Sequence, residues 1–241
     1  MNNKVKIKEI FASIQGEGPY VGYKQLFIRF CGCNLKCNYC DTDFSAESDC
    51  REFSVIELAQ EVNKYTDVHS ISLTGGEPLL SVEFLKEFLK ELKVKSQAPS
   101  PLEGRGEGDK SKPKIYLETN ATLPDKFLEI KPYVDIVSAD IKLESATGID
   151  TFELHDKFFE TCRGVETFAK IVFNENITDE EIEQCCKLGQ KYNLQLILQP
   201  EMQKEKLSVT SKFSSQILDK FLQNYPNVRL IPQVHKFLNV R

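Results

Sequence analysis

The sequence predicts an α/β fold, a partial (β/α)6 barrel built on a parallel sheet. From residue 25 onward, short β-branched or aromatic runs alternate with amphipathic helical patterns. Two of those helical patterns open with capping boxes, and the strand-helix units number six. Strand, helix and strand in succession make right-handed crossovers and hence a parallel sheet. Six units are too few for the usual closed eight-fold barrel, which leaves an open side for a large substrate.

Strands are read at 25–30 (QLFIRF), 70–75 (SISLTG), 114–119 (KIYLET), 135–140 (DIVSAD), 169–174 (AKIVFN) and 194–199 (LQLILQ), with a further apolar run, VRLIP, at 228–232. The helix at 54–65 begins with Ser54 and has Glu57 three residues on, the reciprocal pairing of a capping box. The next, at 81–93, puts Val82, Leu85, Phe88, Leu89 and Leu92 on one face. A third, at 178–192, opens with Thr178 and Glu181. Residues 95–112 are rich in Pro, Gly, Ser and charge and have no periodicity, so they read as a disordered insertion. Lying after a helix and before a strand, they fall opposite the catalytic loops of a parallel barrel. One domain, 1–241, is expected around them.

Composition narrows the class. The 241 residues are 41% hydrophobic and 28% charged with a net charge of −5, as in a soluble globular protein. No basic field advertises nucleic acid. No apolar run nears the ~18 residues of a membrane span, and the N-terminus has no signal core. A cytoplasmic address follows as the expectation.

In a reducing compartment, clustered cysteines are more often metal-binding or catalytic than disulfide-bonded. Four of the eight, Cys31, Cys33, Cys37 and Cys40, fall within ten positions. Cys50, Cys162, Cys185 and Cys186 are scattered and read as buried or idle thiols. Cys33, Cys37 and Cys40 form C-x3-C-x2-C directly after the first strand, in a loop at the C-terminal face of the sheet. Zinc would want a fourth ligand; Cys31 is at hand, but C-x-C-x3-C-x2-C is not a usual zinc spacing, and His69, His155 and His235 are isolated. A redox dithiol at 37–40 leaves Cys33 unexplained. An iron–sulfur cluster held by three cysteines, with one iron open to a ligand, fits best.

CNLKCNYC (33–40) resembles the cluster motif of the radical S-adenosylmethionine superfamily, and TGGEP (74–78) resembles its cofactor-amine motif. The second ends a strand; its glycines allow close backbone approach, and its carbonyls and Glu77 can accept from an ammonium group. The resemblance implies a 4Fe-4S cluster on Cys33, Cys37 and Cys40, with Cys31 a bystander. It further implies S-adenosylmethionine on the open iron, cleaved to a 5′-deoxyadenosyl radical. Cofactor contacts carried over are Tyr39, Cys40, Asp41, Gly76, Glu77, Ser138, Ala139, Asp140 and Gln199.

Residues 9–42 and RLIPQVHKFL (229–238) are similar to the two ends of the 7-carboxy-7-deazaguanine synthase family, and VSADIK (137–142) fits between. That family converts 6-carboxy-5,6,7,8-tetrahydropterin to 7-carboxy-7-deazaguanine with release of ammonia, in queuosine and 7-deazapurine biosynthesis. Substrate contacts implied are Ile14, Gln15, Gly16, Glu17, Arg29, Thr74, His235 and the terminal Arg241. Thr42 matches a Mg2+ contact. The resemblance also implies an electron donor such as flavodoxin or ferredoxin and a homodimer. No protein side chain abstracts the hydrogen; the cofactor-derived radical does. Two rivals are a radical activase oxidising a glycine of a partner protein and a zinc-binding interaction module. An activase would not be expected to carry SIQGEG (13–18) or PQVHKFL (232–238).

Overall fold

A computed structural model describes residues 3–40, 49–97, 112–203 and 205–240. Asp41, Thr42 and Arg241, and residues 98–111 of the expected insertion, lie outside the described residues.

The chain opens with a strand that periodicity from residue 25 onward does not include: β1 (Lys4–Ile14). Its first half alternates lysine with buried Val5 and Ile7, but the register to the next strand shifts between Ile7 and Glu9, and the alternation breaks there. β2 (Lys24–Phe30) runs antiparallel to it, and β3 (Arg51–Ser54) pairs antiparallel on its other side. The remaining strands read from sequence follow as β4 (Ser70–Gly75), β5 (Lys114–Thr119), β6 (Ile136–Ile141), β7 (Glu166–Phe173) and β8 (Gln195–Pro200), each parallel to the one before, with β4 parallel to β2. β9 (Met202–Gln203) and β10 (Lys206–Leu207) form a small separate pair. The apolar run near the end supplies β11 (Val228–Leu230), parallel to β8.

The nine strands of the main sheet run in the order β11-β8-β7-β6-β5-β4-β2-β1-β3. It keeps two edges and so does not close. It does curl: Val234, just past β11, donates its N–H to the Gly16 carbonyl, just past β1, at 2.9 Å. β11, at one edge, and β1, one strand in from the other, meet only if the sheet bends into part of a barrel.

α1 (Val55–Val62) and α6 (Asp179–Tyr192) start with the expected capping boxes, Ser54 with Glu57 and Thr178 with Glu181. α2 (Val82–Gln97) runs longer than expected, taking the first residues of the predicted insertion into the helix. α3 (Pro124–Ile130), α4 (Glu144–Thr147), α5 (Phe152–Thr161), α7 (Ser211–Asn224) and α8 (Val234–Phe237) complete the described helices. α5 and α7 were not read from the sequence, although Phe152, His155 and Phe159, and Ser214, Ile217 and Phe221, are spaced for one helical face.

Strand parity divides the interior in two. Leu73, Leu117, Val137, Ala139, Ala169, Ile171 and Leu198 face the helices and join the main core. Tyr116, Ile136, Phe168 and Ile197 form a second cluster, closed over by Tyr20 and Ile231. Above that plug the same parity carries polar residues (Ser72, Thr74, Glu118, Ser138, Asp140, Lys170 and Gln199), and these build the site. Among the described residues no helix is long and apolar enough to cross a membrane.

Candidate active site

The loop after β2 brings Cys33, Cys37, Tyr39 and Cys40 to the mouth of one pocket. Cys33, Cys37 and Cys40 stand outside any disulfide, and Cys162, Cys185 and Cys186 are buried thiols, as read from sequence. Cys50 is not idle: it forms a disulfide with Cys31. The expectation against disulfides fails here because the sheet places the two ends of the cysteine loop side by side. Phe30, before Cys31, and Arg51, after Cys50, both pair with Ile7 of β1.

The loop is held from several directions. Asn38 N–H donates to the Ala146 carbonyl in α4 at 3.0 Å. Asn120 Nδ2 bonds Asn34 Oδ1 at 2.8 Å and lies 3.9 Å from Cys33 Sγ. Burial raises the Cys33 and Cys37 thiols above their ordinary range, so loading metal there releases protons. Among the described residues no three His, Cys, Asp or Glu side chains are gathered as a single-ion site. Three thiols on one loop leave one iron of a cubane without a cysteine, so the donor set is the one that a three-cysteine cluster takes.

TGGEP closes onto this loop. Gly76 and Glu77 N–H groups donate to the Phe30 and Gly32 carbonyls at 3.1 and 2.9 Å. A Cβ on Gly76 would sit 1.7 Å from Gly32 O, so the close approach that glycine allows here is to the cysteine loop's own backbone. Glu77, read from its motif as an acceptor for the cofactor amine, has its carboxylate engaged within the fold. Its carboxylate is buried and accepts from Leu79 N–H, Thr119 Oγ1 and Asn120 N–H at 2.8–3.0 Å, tying the ends of β4 and β5 together. Burial outweighs those bonds and pushes its carboxyl up to about 7.

A charged row crosses the pocket. Gln233 Nε2 donates to Glu17 Oε1 at 2.6 Å, and Lys170 Nζ pairs with Glu17 Oε2. Lys170 also reaches Asp140 Oδ1 at 3.2 Å; Lys142 holds Asp140 Oδ2 at 2.9 Å and the Tyr39 hydroxyl at 3.3 Å. Burial opposes ionisation of Glu17, but Lys170, the Gln233 amide and His235 prevail, and its carboxyl falls to about 2. Burial likewise opposes the charge on Lys142 and Lys170, and their carboxylate partners reverse it, so both stay ammonium.

A second pocket adjoins the first, lined by Ile14, Gln15, Gly16, Glu17, Arg29, Thr74, Glu118 and His235. Glu118 gathers its wall, accepting from Gln15 Nε2, Ser72 Oγ and Thr74 Oγ1 at 2.9, 3.1 and 2.7 Å. Arg29 donates Nε to Glu9 at 2.9 Å. A Cβ on Gly16 would fall 2.2 Å from His235 Nδ1, so glycine lets the histidine lie against the backbone.

Of the residues read from sequence, Tyr39, Cys40, Gly76, Asp140 and Gln199 therefore meet in the first pocket, and the described substrate-side residues meet in the second. Ser138 sits beneath, bonded to Tyr116, and Ala139 packs in the helix-side core. Sequence reading missed Glu118, Asn120, Lys142, Lys170 and Gln233. The signal was present: Glu118 and Lys170 are charges at inward positions of apolar strands. His155, read as isolated, is buried and accepts from Lys142 N–H at 2.9 Å, fixing the end of β6; burial lowers it to about 4.

One buried acceptor on this pocket, Gln199 Oε1, has no hydrogen-bond partner among the described residues. A buried orphan costs about 1–3 kcal/mol unless a ligand donates to it. Three thiols, an orphan acceptor and a row of polar groups in one pocket fit a cluster with a polar organic ligand.

A partial barrel carrying a three-thiol loop above its parallel strands is the architecture of radical S-adenosylmethionine enzymes, and residues 27–189 match the family model "Radical SAM superfamily". The chain belongs, within it, to the 7-carboxy-7-deazaguanine synthase family. It is 33% identical to the Archaeoglobus fulgidus enzyme of that name, over 99% of this chain and all of the relative. Against the Geobacter sulfurreducens enzyme it is 32% identical, over 97% and 96%. The fold is similar to a crystal structure of QueE from Escherichia coli, with TM-score 0.61, 17% identity and coverage of 96% and 95%.

Proposed function

We propose that the chain converts 6-carboxy-5,6,7,8-tetrahydropterin to 7-carboxy-7-deazaguanine with release of ammonia. The observation that supports it best is the adjacency of the two pockets, three cysteine thiols lining one and an acceptor-rich wall the other. When bound, the cluster and S-adenosylmethionine supply a radical able to take hydrogen from the substrate carbon bearing the carboxylate.

Cys33, Cys37 and Cys40 would hold the cluster. Tyr39, the Gly76 backbone, Asp140 and Gln199 line the space for S-adenosylmethionine, with Gln199 Oε1 awaiting a donor. Glu17, ionised at any working pH, is an acceptor for the amino edge of the pterin, and Lys170 and Gln233 fix its direction. Gln15 is pinned by Glu118 and by Gln25, so it presents one orientation. Arg29 and Thr74 face the same space from neighbouring strands, and His235 covers it.

Anaerobic incubation of cluster-loaded protein with the pterin, S-adenosylmethionine and a reductant should give 7-carboxy-7-deazaguanine by mass spectrometry, with S-adenosylmethionine regenerated. Colourless protein holding only zinc would overturn this reading. Gly16→Ala should displace His235 and raise KM by ~10-fold, a loss of about 1.4 kcal/mol, with cluster content unchanged. Magnesium belongs to the same reading through Thr42, where one protein ligand suffices for an ion that keeps most of its water and substrate oxygens. Thr42→Ala should lower both activity and its magnesium dependence while iron content stays at the parent level. An electron donor of the flavodoxin or ferredoxin kind and homodimeric assembly complete the proposal on family grounds.

A further inference from the structure

Cys31 stands two positions before Cys33, a reach of at most ~7 Å, so a free Cys31 thiol lies within range of any cluster on this loop. Four cysteine ligands make a closed cluster, suited to passing electrons and without an iron open to a ligand. The structure keeps the fourth thiol away. Cys31 is bonded to Cys50, and it does not line the pocket that Cys33, Cys37 and Cys40 share. A loop staple is not otherwise needed, since the ladder from Lys4↔Ser54 to Ile7↔Arg51 already anchors the far end of the loop. Cys31 N–H, bonded to Lys6 O at 3.1 Å, anchors the near end.

Resting on the three-cysteine cluster reading, we propose that the Cys31–Cys50 disulfide withholds a competing thiol from the cluster and so preserves its open iron. Making the bond removes two electrons and two protons from the pair. A low-molecular-weight disulfide takes them by exchange and leaves as two thiols. Strong thiol reductants reverse the exchange and release Cys31.

The test compares the parent with Cys31→Ala, Cys50→Ala and the double variant, each purified anaerobically with its cluster assembled in the cell and no added thiol. Iron and sulfide content are measured, with S-adenosylmethionine binding to the unreduced cluster by equilibrium dialysis. Cys50→Ala frees Cys31 and should bind S-adenosylmethionine at least ten-fold more weakly at normal iron content. Cys31→Ala and the double variant should bind like the parent. Rescue by the second substitution is what a mere staple would not show. Equal weakening in all three variants, or parent-like binding by Cys50→Ala, overturns the proposal. So does alkylation mapping that finds Cys31 free in parent protein that binds S-adenosylmethionine. A parent without iron overturns the cluster reading itself, and this proposal with it.

Discussion

Alanine at Cys33, Cys37 or Cys40 is expected to leave a folded, colourless protein with less than about a tenth of the parent's iron. Turnover should be undetectable in each. The three thiols line one pocket on a loop pinned by Asn38 to α4 and by Asn34 to Asn120, so neighbouring side chains cannot easily take over a lost position. The start of the loop is held by backbone bonds from the Gly76 and Glu77 N–H groups to the Phe30 and Gly32 carbonyls, which the substitutions leave intact. Iron and sulfide analysis with circular dichroism separates the two effects. A variant that keeps its cluster at any of these positions would remove that cysteine from the ligand set.

Lys170→Met should have the next largest effect. It leaves Glu17 and Asp140 facing each other across the pocket without the ammonium between them. Removing one partner of a buried ion pair costs about 3–5 kcal/mol, measurable by urea unfolding. Activity should fall by at least ~100-fold, because Glu17 loses the group that aims it. The pH dependence changes as well. Glu17 is lowered from an ordinary 4.5 to about 2, so its stabilising contribution is complete above about pH 4.5 and is lost as pH falls toward 2. Without Lys170, burial is less opposed and that loss begins at higher pH. Lys170→Arg, which keeps the charge, should recover part of the stability. If Lys170→Met unfolds like the parent across pH 3–7, the row is not a stabilising network.

The local periodicities of the sequence determined the parallel strands, the two capping boxes and the spacing of the three loop cysteines. Each is set by residues a few positions apart, where parity, helical pitch and side-chain reach decide the outcome. Tertiary structure alone decided what those elements face. β1 joined the sheet across a register shift that breaks its alternation. Glu77, which its motif offered to a ligand, turned inward to Thr119 and Asn120 because β5 ends beside it. Cys50 found Cys31 across nineteen residues because β1 lies between their strands. Lys170 found Glu17 because the sheet curls until the ends of β1 and β11 touch. Pairings of that kind depend on which strands become neighbours and how far the sheet bends, and no short stretch of the chain encodes either.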